Sequence, residues 1–187
     1  HKLNKKNYSN STKTIIILGG SQGAEIFGNV IPKVILDITT KYKINIIQQA
    51  IPKQVNEIKN IYNSNKIENY VFSFHQNIFE LMSKADLAIS RCGSSTLGEL
   101  EFLGVPFVAI PYPFAKDNHQ YHNASYYEQK GCCWILHQRD FTFDGLKEML
   151  TKILDNSVDL NLKKENMLKN DNENSLTKIE KELKKLI

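Results

Sequence analysis

Cysteine is scarce in this chain: of 187 residues only Cys92, Cys132 and Cys133 carry a thiol. Their number is odd, none belongs to a CxxC pair, and adjacent cysteines seldom bridge one another. Neither a disulfide framework nor a zinc site is expected, and the thiols read as reduced and intracellular. Long apolar runs are missing too. Nothing approaches the roughly 18 consecutive apolar residues of a membrane span, and no signal-peptide pattern precedes the first strand, so a soluble chain is expected. Charge of one sign is equally sparse: 24 basic and 20 acidic residues give a formal net charge of +4, with a mild basic bias in "NLKKENMLKN" and "KIEKELKKLI" near the end. A nucleic-acid binder would gather its basic residues into a stripe with interleaved aromatics, so nucleic acid is not expected as a partner. There is no DxD pair to hold a metal, and neither a GxGxxG dinucleotide fingerprint nor a GxxxxGK[ST] P-loop.

What is present is a core and a rhythm. A hydrophobic content of 41% over this length supports one well-cored domain. The polar opening "HKLNKKNYSNSTK", residues 1–13, reads as a linker or the start of a fragment. Residues 14–155 read as a binding domain, and 156–187 as C-terminal helices that dock on it or on a missing neighbour, with Leu176, Ile179, Leu183 and Leu186 at helical spacing. Between these ends, short apolar strands alternate with amphipathic helices. Strands are predicted over 14–18, 44–49, 70–74, 87–91, 106–111 and 133–136. Helices are predicted over 22–38, 53–63, 77–84, 95–103, 118–130 and 143–154, with two more after Asp159. Six strands alternating with helices imply an α/β domain with a parallel six-stranded sheet, right-handed crossovers and flanking helices. In the first helix Ile26, Val30, Ile31, Val34, Ile35 and Ile38 form one apolar face, and Pro32 is expected to kink or break it.

Three strand ends carry polar or glycine-rich turns. The first, "TIIILGGSQGAEIFGNVIPKVILDI" at 14–38, passes from a β-branched run through a glycine pair into a helix. In an open α/β sheet such a turn leaves N–H groups and the positive end of a helix dipole facing the crevice at the carboxyl edge, which suits a diphosphate. Gly19 and Gly20 allow the sharp turn, Ser21 adds a hydroxyl, and Gly23 lets the helix start close to a ligand. The same residues would equally serve as a plain strand-to-helix connection. The second, "LAISRCGSSTLGELEFLGVPFVAIP" at 87–111, places Gly93, Ser94, Ser95 and Thr96 in the turn and Glu99 in the first helical turn. With Ser95 or Thr96 as N-cap, Glu99 is the natural capping-box partner; it also stands where it can accept both hydroxyls of a ribose. The third, "PYPFAKDNHQYHNA" at 111–124, is a proline-stiffened loop that brings Asp117, as a simple N-cap, together with His119, Gln120 and Asn123 to the next helix start.

"GGSQGA", "ADLAISRCGSSTLGEL", "GVPFVAIPYP" and "DNHQYHNA" occur in this order, and with them the chain from about Thr14 onward resembles the C-terminal, donor-binding half of the MurG glycosyltransferases. The resemblance implies one Rossmann-like half of a GT-B enzyme. Its family transfers N-acetylglucosamine from UDP-GlcNAc to lipid I, with inversion, to give lipid II for peptidoglycan. It implies that Gly20, Ser21, Gln22 and Gly23 hold the diphosphate and that the backbone of Phe74 and His75 frames uracil. Gly93, Ser94, Ser95, Thr96 and Leu97 would line phosphates and base, Glu99 would hold the ribose hydroxyls, Gln120 with His119 would read the sugar, and Asn123 would anchor its loop. UDP-GlcNAc is then a substrate, no cofactor or metal is required, and no catalytic residue lies in this chain. The general base and the acceptor site are expected in a missing N-terminal half, in a protein lying peripherally on the cytoplasmic face of the bacterial membrane. Two alternatives stay open: the single-domain donor subunit of a split GlcNAc transferase with a membrane partner, and a non-catalytic UDP-sugar-binding module.

Overall fold

The computed structural model describes residues 12–20 and 24–171. Six strands, β1 (Lys13–Leu18), β2 (Ile44–Gln49), β3 (Asn69–Phe72), β4 (Leu87–Ser90), β5 (Phe107–Ala109) and β6 (Cys133–Ile135), form one sheet in the order β3-β2-β1-β4-β5-β6. Every pairing is parallel. The order reverses direction at β1 and β4, so the chain leaves these adjacent strands toward opposite edges and opens a crevice at their carboxyl ends.

The strands are apolar because helices cover both faces of the sheet. Alternate residues of β1 divide between two cores. Ile15 and Ile17 pack with Phe27, Ile31, Val34 and Ile35 of α1 (Glu25–Ile38), with Ile58 and Tyr62 of α2 (Pro52–Ser64) and with Leu146 and Leu150 of α6 (Phe143–Asp155). Ile16 and Leu18 face the other way, toward Leu81 and Met82 of α3 (Ile78–Met82), Leu97 and Leu100 of α4 (Ser94–Phe102) and Ala124 and Tyr127 of α5 (His119–Gln129). The last helix among the described residues, α7 (Ser157–Asp171), seats Leu160 on the first core and the fully buried Met167 on the second.

Pro32 does not break α1, which runs unbroken from Glu25 to Ile38 with Pro32 buried inside it. One backbone bond is lost, but the flanking Ile31, Val34 and Ile35 are fully buried and hold both halves against the sheet, which outweighs the local cost. The sequence also overestimated the strand ends: β3 stops at Phe72, which leaves Phe74 and His75 in the following loop. Of the two helices expected after Asp159, one lies within the described residues and begins at Ser157, and the other falls outside them. Residues 1–11, the turn residues Ser21, Gln22 and Gly23, and the apolar series from Leu176 to Leu186 lie outside the described residues.

Candidate functional site

At the carboxyl ends of β1, β4 and β5 lies a crevice of about 730 Å³. Gly19, Gly20, Ala24, Arg91, Gly93, Ser95, Thr96, Tyr112, Gln120 and Gln138 are among the residues that line it. Gly20 turns with φ of 86°, in the left-handed region, and a Cβ there would meet nothing within 4 Å, so backbone conformation rather than space requires glycine.

Two helices start at this crevice, and among the described residues neither has a side-chain cap. At α1 the N-cap is Ala24, and at α4 it is Gly93, each in extended conformation with no side-chain hydrogen bond. Helix α4 therefore begins one residue earlier than expected, and Glu99 stands in its second turn, not its first. The capping-box role of Glu99 is thereby excluded: glycine occupies the cap, and Glu99 makes no side-chain hydrogen bond or ion pair among the described residues. An N-terminus without a cap leaves its first N–H groups free for an anion, and the helix dipole favours one. In α4 the first intrahelical bond is Leu97 N–H to Gly93 O at 3.0 Å, so Ser94, Ser95 and Thr96 keep their N–H groups for that use. Leu97 differs from the three residues before it: its amide is engaged in this bond and its side chain is fully buried.

The third loop is tied to the second by two side chains of α5. The Oε1 atom of Gln120 accepts from Cys92 N–H at 3.1 Å and from Tyr112 N–H at 3.0 Å, which turns its amide nitrogen away from these partners. Asn123 donates from Nδ2 to Cys92 O at 3.0 Å. Asp117 is not the N-cap of α5; that position belongs to Asn118, and both residues hold left-handed φ, 50° and 53°. His119 is exposed and donates from Nδ1 to Lys116 O at 2.8 Å. Ser94, with His122, Asn123 and Tyr126, lines a neighbouring hollow. His75 is placed at the β3 edge, where its ring meets those of Tyr70 and Phe72 edge-on at 5.9 and 5.8 Å, beside a Phe74 that is 82% exposed.

Sequence reasoning gave Arg91 no role. It ends the run "LAISR" and is only 7% exposed, yet among the described residues it has no carboxylate partner. Its Nη1 donates to Ile110 O at 3.1 Å and to Pro111 O at 3.4 Å, and its Nη2 donates to Gln138 Oε1 at 2.7 Å. The guanidinium carbon lies 4.9 Å from the Phe27 ring centre and 5.4 Å from that of Tyr112. Burial pulls its pKa below the usual guanidinium value, but a guanidinium stays charged in proteins. A fixed, poorly solvated positive charge with neutral partners is suited to an anionic ligand. The available signal was an arginine closing a buried strand. Among the described residues no cluster of three or more His, Cys, Asp or Glu could hold a metal, and no helix is long and apolar enough to cross a membrane.

Residues 14–183 match the Glycosyltransferase family 28 C-terminal domain. The chain belongs to this family. The family 28 domain is 40% identical over 166 residues to the UDP-N-acetylglucosamine--N-acetylmuramyl-(pentapeptide) pyrophosphoryl-undecaprenol N-acetylglucosamine transferase of Pelagibacter ubique, a match covering 88% of this chain and 47% of that relative. It is 38% identical over 170 residues to the Rickettsia bellii enzyme of the same name, covering 89% and 48%. Its sheet and helices superpose on the crystal structure of MurG from Acinetobacter baumannii with a TM-score of 0.76 and 27% identity, over 88% of this chain and 49% of that one. The family 28 domain thus spans about half the length of the curated relatives it matches and has the Rossmann-like architecture of one half of a GT-B glycosyltransferase.

Proposed function

We propose that this chain is the donor-binding domain of an N-acetylglucosamine transferase that acts on lipid I to give lipid II. UDP-GlcNAc would lie in the crevice with its diphosphate at the two helix starts. The carrying observation is the convergence of two N-termini, α1 at Ala24 and α4 at Gly93, neither with a side-chain cap among the described residues, on a crevice that also holds Arg91. In the reaction, the C4 hydroxyl of the acceptor's N-acetylmuramic acid attacks the anomeric carbon as the bond from that carbon to the diphosphate breaks. UDP takes the electron pair, and a general base takes the hydroxyl proton. The domain's part is to stabilise the charge growing on UDP, with N–H groups and a guanidinium that are already oriented. That role needs no metal and no cofactor. Glu99 lies three and four residues beyond Thr96 and Ser95, on the same helix side as these crevice residues, and would take the ribose hydroxyls. The Gln120 amide nitrogen, with His119 beside it, would read the sugar; the backbone at Phe74 and His75 would frame uracil. General base, acceptor and membrane contact on the cytoplasmic face are assigned to the length that the relatives have beyond this domain.

Amide hydrogen exchange tests the placement. Saturating UDP should slow exchange at Gly20, Ala24, Ser94, Ser95 and Thr96, while the helix starts remote from the crevice stay unchanged. Protection confined to other residues would refute it.

A further inference from the structure

The strands β1 and β2 pair as far as Ile17 opposite Gln48 and then part. Beyond that rung Ala50 N–H turns to Phe72 O on β3, at 2.8 Å, while the chain after Leu18 bends at Gly20. Gly19 N–H would lose its ladder partner at the point where the crevice opens. Instead it donates to Oε1 of Gln49 at 3.1 Å, and the amide orientation is settled because a backbone N–H can only meet the oxygen. On the other side of β1, Arg91 N–H donates to Leu18 O at 3.0 Å. The glycine turn thus springs from a strand end pinned on both flanks, by backbone toward β4 and by one side chain toward β2.

Successive strand residues face opposite sides, and the two glutamines of β2 show it. Gln48 points into the first core and accepts from the Tyr62 hydroxyl at 2.6 Å. Gln49 is half-buried on the other side, at the carboxyl edge of the sheet, and its NH₂ has no hydrogen-bond partner among the described residues. Nothing about packing alone requires an amide at this position. A side chain that carries the ladder one step past its last rung holds the peptide that leads into Gly20, and both glycines line the crevice.

We infer that Gln49 is a positioning residue for the strand end at Gly19 and Gly20: it fixes the Gly19 N–H and the backbone leading into Gly20, and so governs affinity for the diphosphate but not for the nucleoside. The inference rests on the reading that the crevice holds a uridine diphosphate sugar. A polyanion is bound by several N–H groups at once, so a Gly19–Gly20 backbone that is not held in advance loses affinity through the ordering it must undergo on binding.

The test compares UDP with uridine. Gln49→Met keeps the length of the side chain and removes the acceptor. UDP should bind about 3- to 10-fold more weakly to it, the worth of about one hydrogen bond, while uridine stays within about twofold. Gly19 amide exchange should quicken in Gln49→Met and return to the wild-type rate in Gln49→Glu, which restores an acceptor. Equal weakening of both ligands, or an unchanged UDP affinity, overturns the inference. If Gln49→Met does not fold, the unsubstituted chain decides. Saturating UDP must then shift the Gly19 amide and Gln49 side-chain NH₂ resonances and uridine must not, and shifts absent with UDP, or equal with both, overturn the inference. A chain that binds neither UDP nor uridine overturns the reading of the crevice itself, and the inference falls with it.

Discussion

Replacing Glu99 by glutamine separates a capping role from a ribose-binding role for one carboxylate. Because Gly93 occupies the N-cap of α4 and Glu99 is in the second turn without a hydrogen bond or ion pair among the described residues, Glu99→Gln removes no structural contact. The two side chains are nearly isosteric and differ little in helix propensity, so unfolding stability should change by less than about 0.5 kcal/mol. Ligand binding should change much more. A carboxylate accepting two ribose hydroxyls makes charge-assisted hydrogen bonds, and glutamine offers one neutral acceptor and a donor in their place. The loss should be about 1.5 to 3 kcal/mol, roughly 10- to 150-fold in the dissociation constant of UDP. Calorimetry with UDP and with 2′-deoxyuridine diphosphate reads this out twice: the wild-type chain should prefer UDP, and Glu99→Gln should bind both nearly alike. If Glu99→Gln holds UDP as tightly as the wild type, or keeps the full preference for the 2′-hydroxyl, Glu99 does not bind the ribose.

Arg91→Met tests the buried guanidinium. At an effective dielectric of about 20, a unit charge about 8 Å from an anion contributes about 2 kcal/mol, so UDP affinity should fall roughly 30-fold and uridine affinity little; an unchanged UDP titration would remove Arg91 from the site. The melting temperature should move modestly, because the charge has only neutral hydrogen-bond partners and its removal also relieves a desolvation cost. The thiols give a pH prediction. Burial raises the Cys92 pKa from 9.0 to about 12 and raises that of Cys133 as well, so the native chain should react slowly with a thiol reagent at pH 8, whereas denaturant should release three reactive thiols. Since the unfolded chain ionises first, these groups should lower stability progressively as pH climbs from about 9 toward 12, and a flat stability profile over that window would contradict their burial.

Much of this protein was legible in its sequence because the relevant physics is local. A β-branched run such as Ile15 to Ile17, bounded by glycine, is a strand under any tertiary arrangement, and six strands alternating with helices admit little besides a parallel sheet between two helical layers. The crevice could be anticipated for the same reason, since a glycine-rich stretch after β1 and a small-residue stretch after β4 both signal strand-to-helix turns at the carboxyl edge of the sheet. Tertiary structure decided the rest. Which residue caps α4 depended on a competition among Gly93, Ser95 and Thr96 that sequence spacing could not rank, and its outcome left the carboxylate of Glu99 without a structural partner. Pro32 stayed inside a continuous helix because its buried neighbours outweighed its own conformational preference. The ties from Gln49 to Gly19, from Gln120 to Cys92 and from Arg91 to Gln138 join positions 30, 28 and 47 residues apart. Such pairs carry no periodicity; they exist because the strand order β2-β1-β4-β5 brings distant strand ends side by side, and only folding makes that adjacency real.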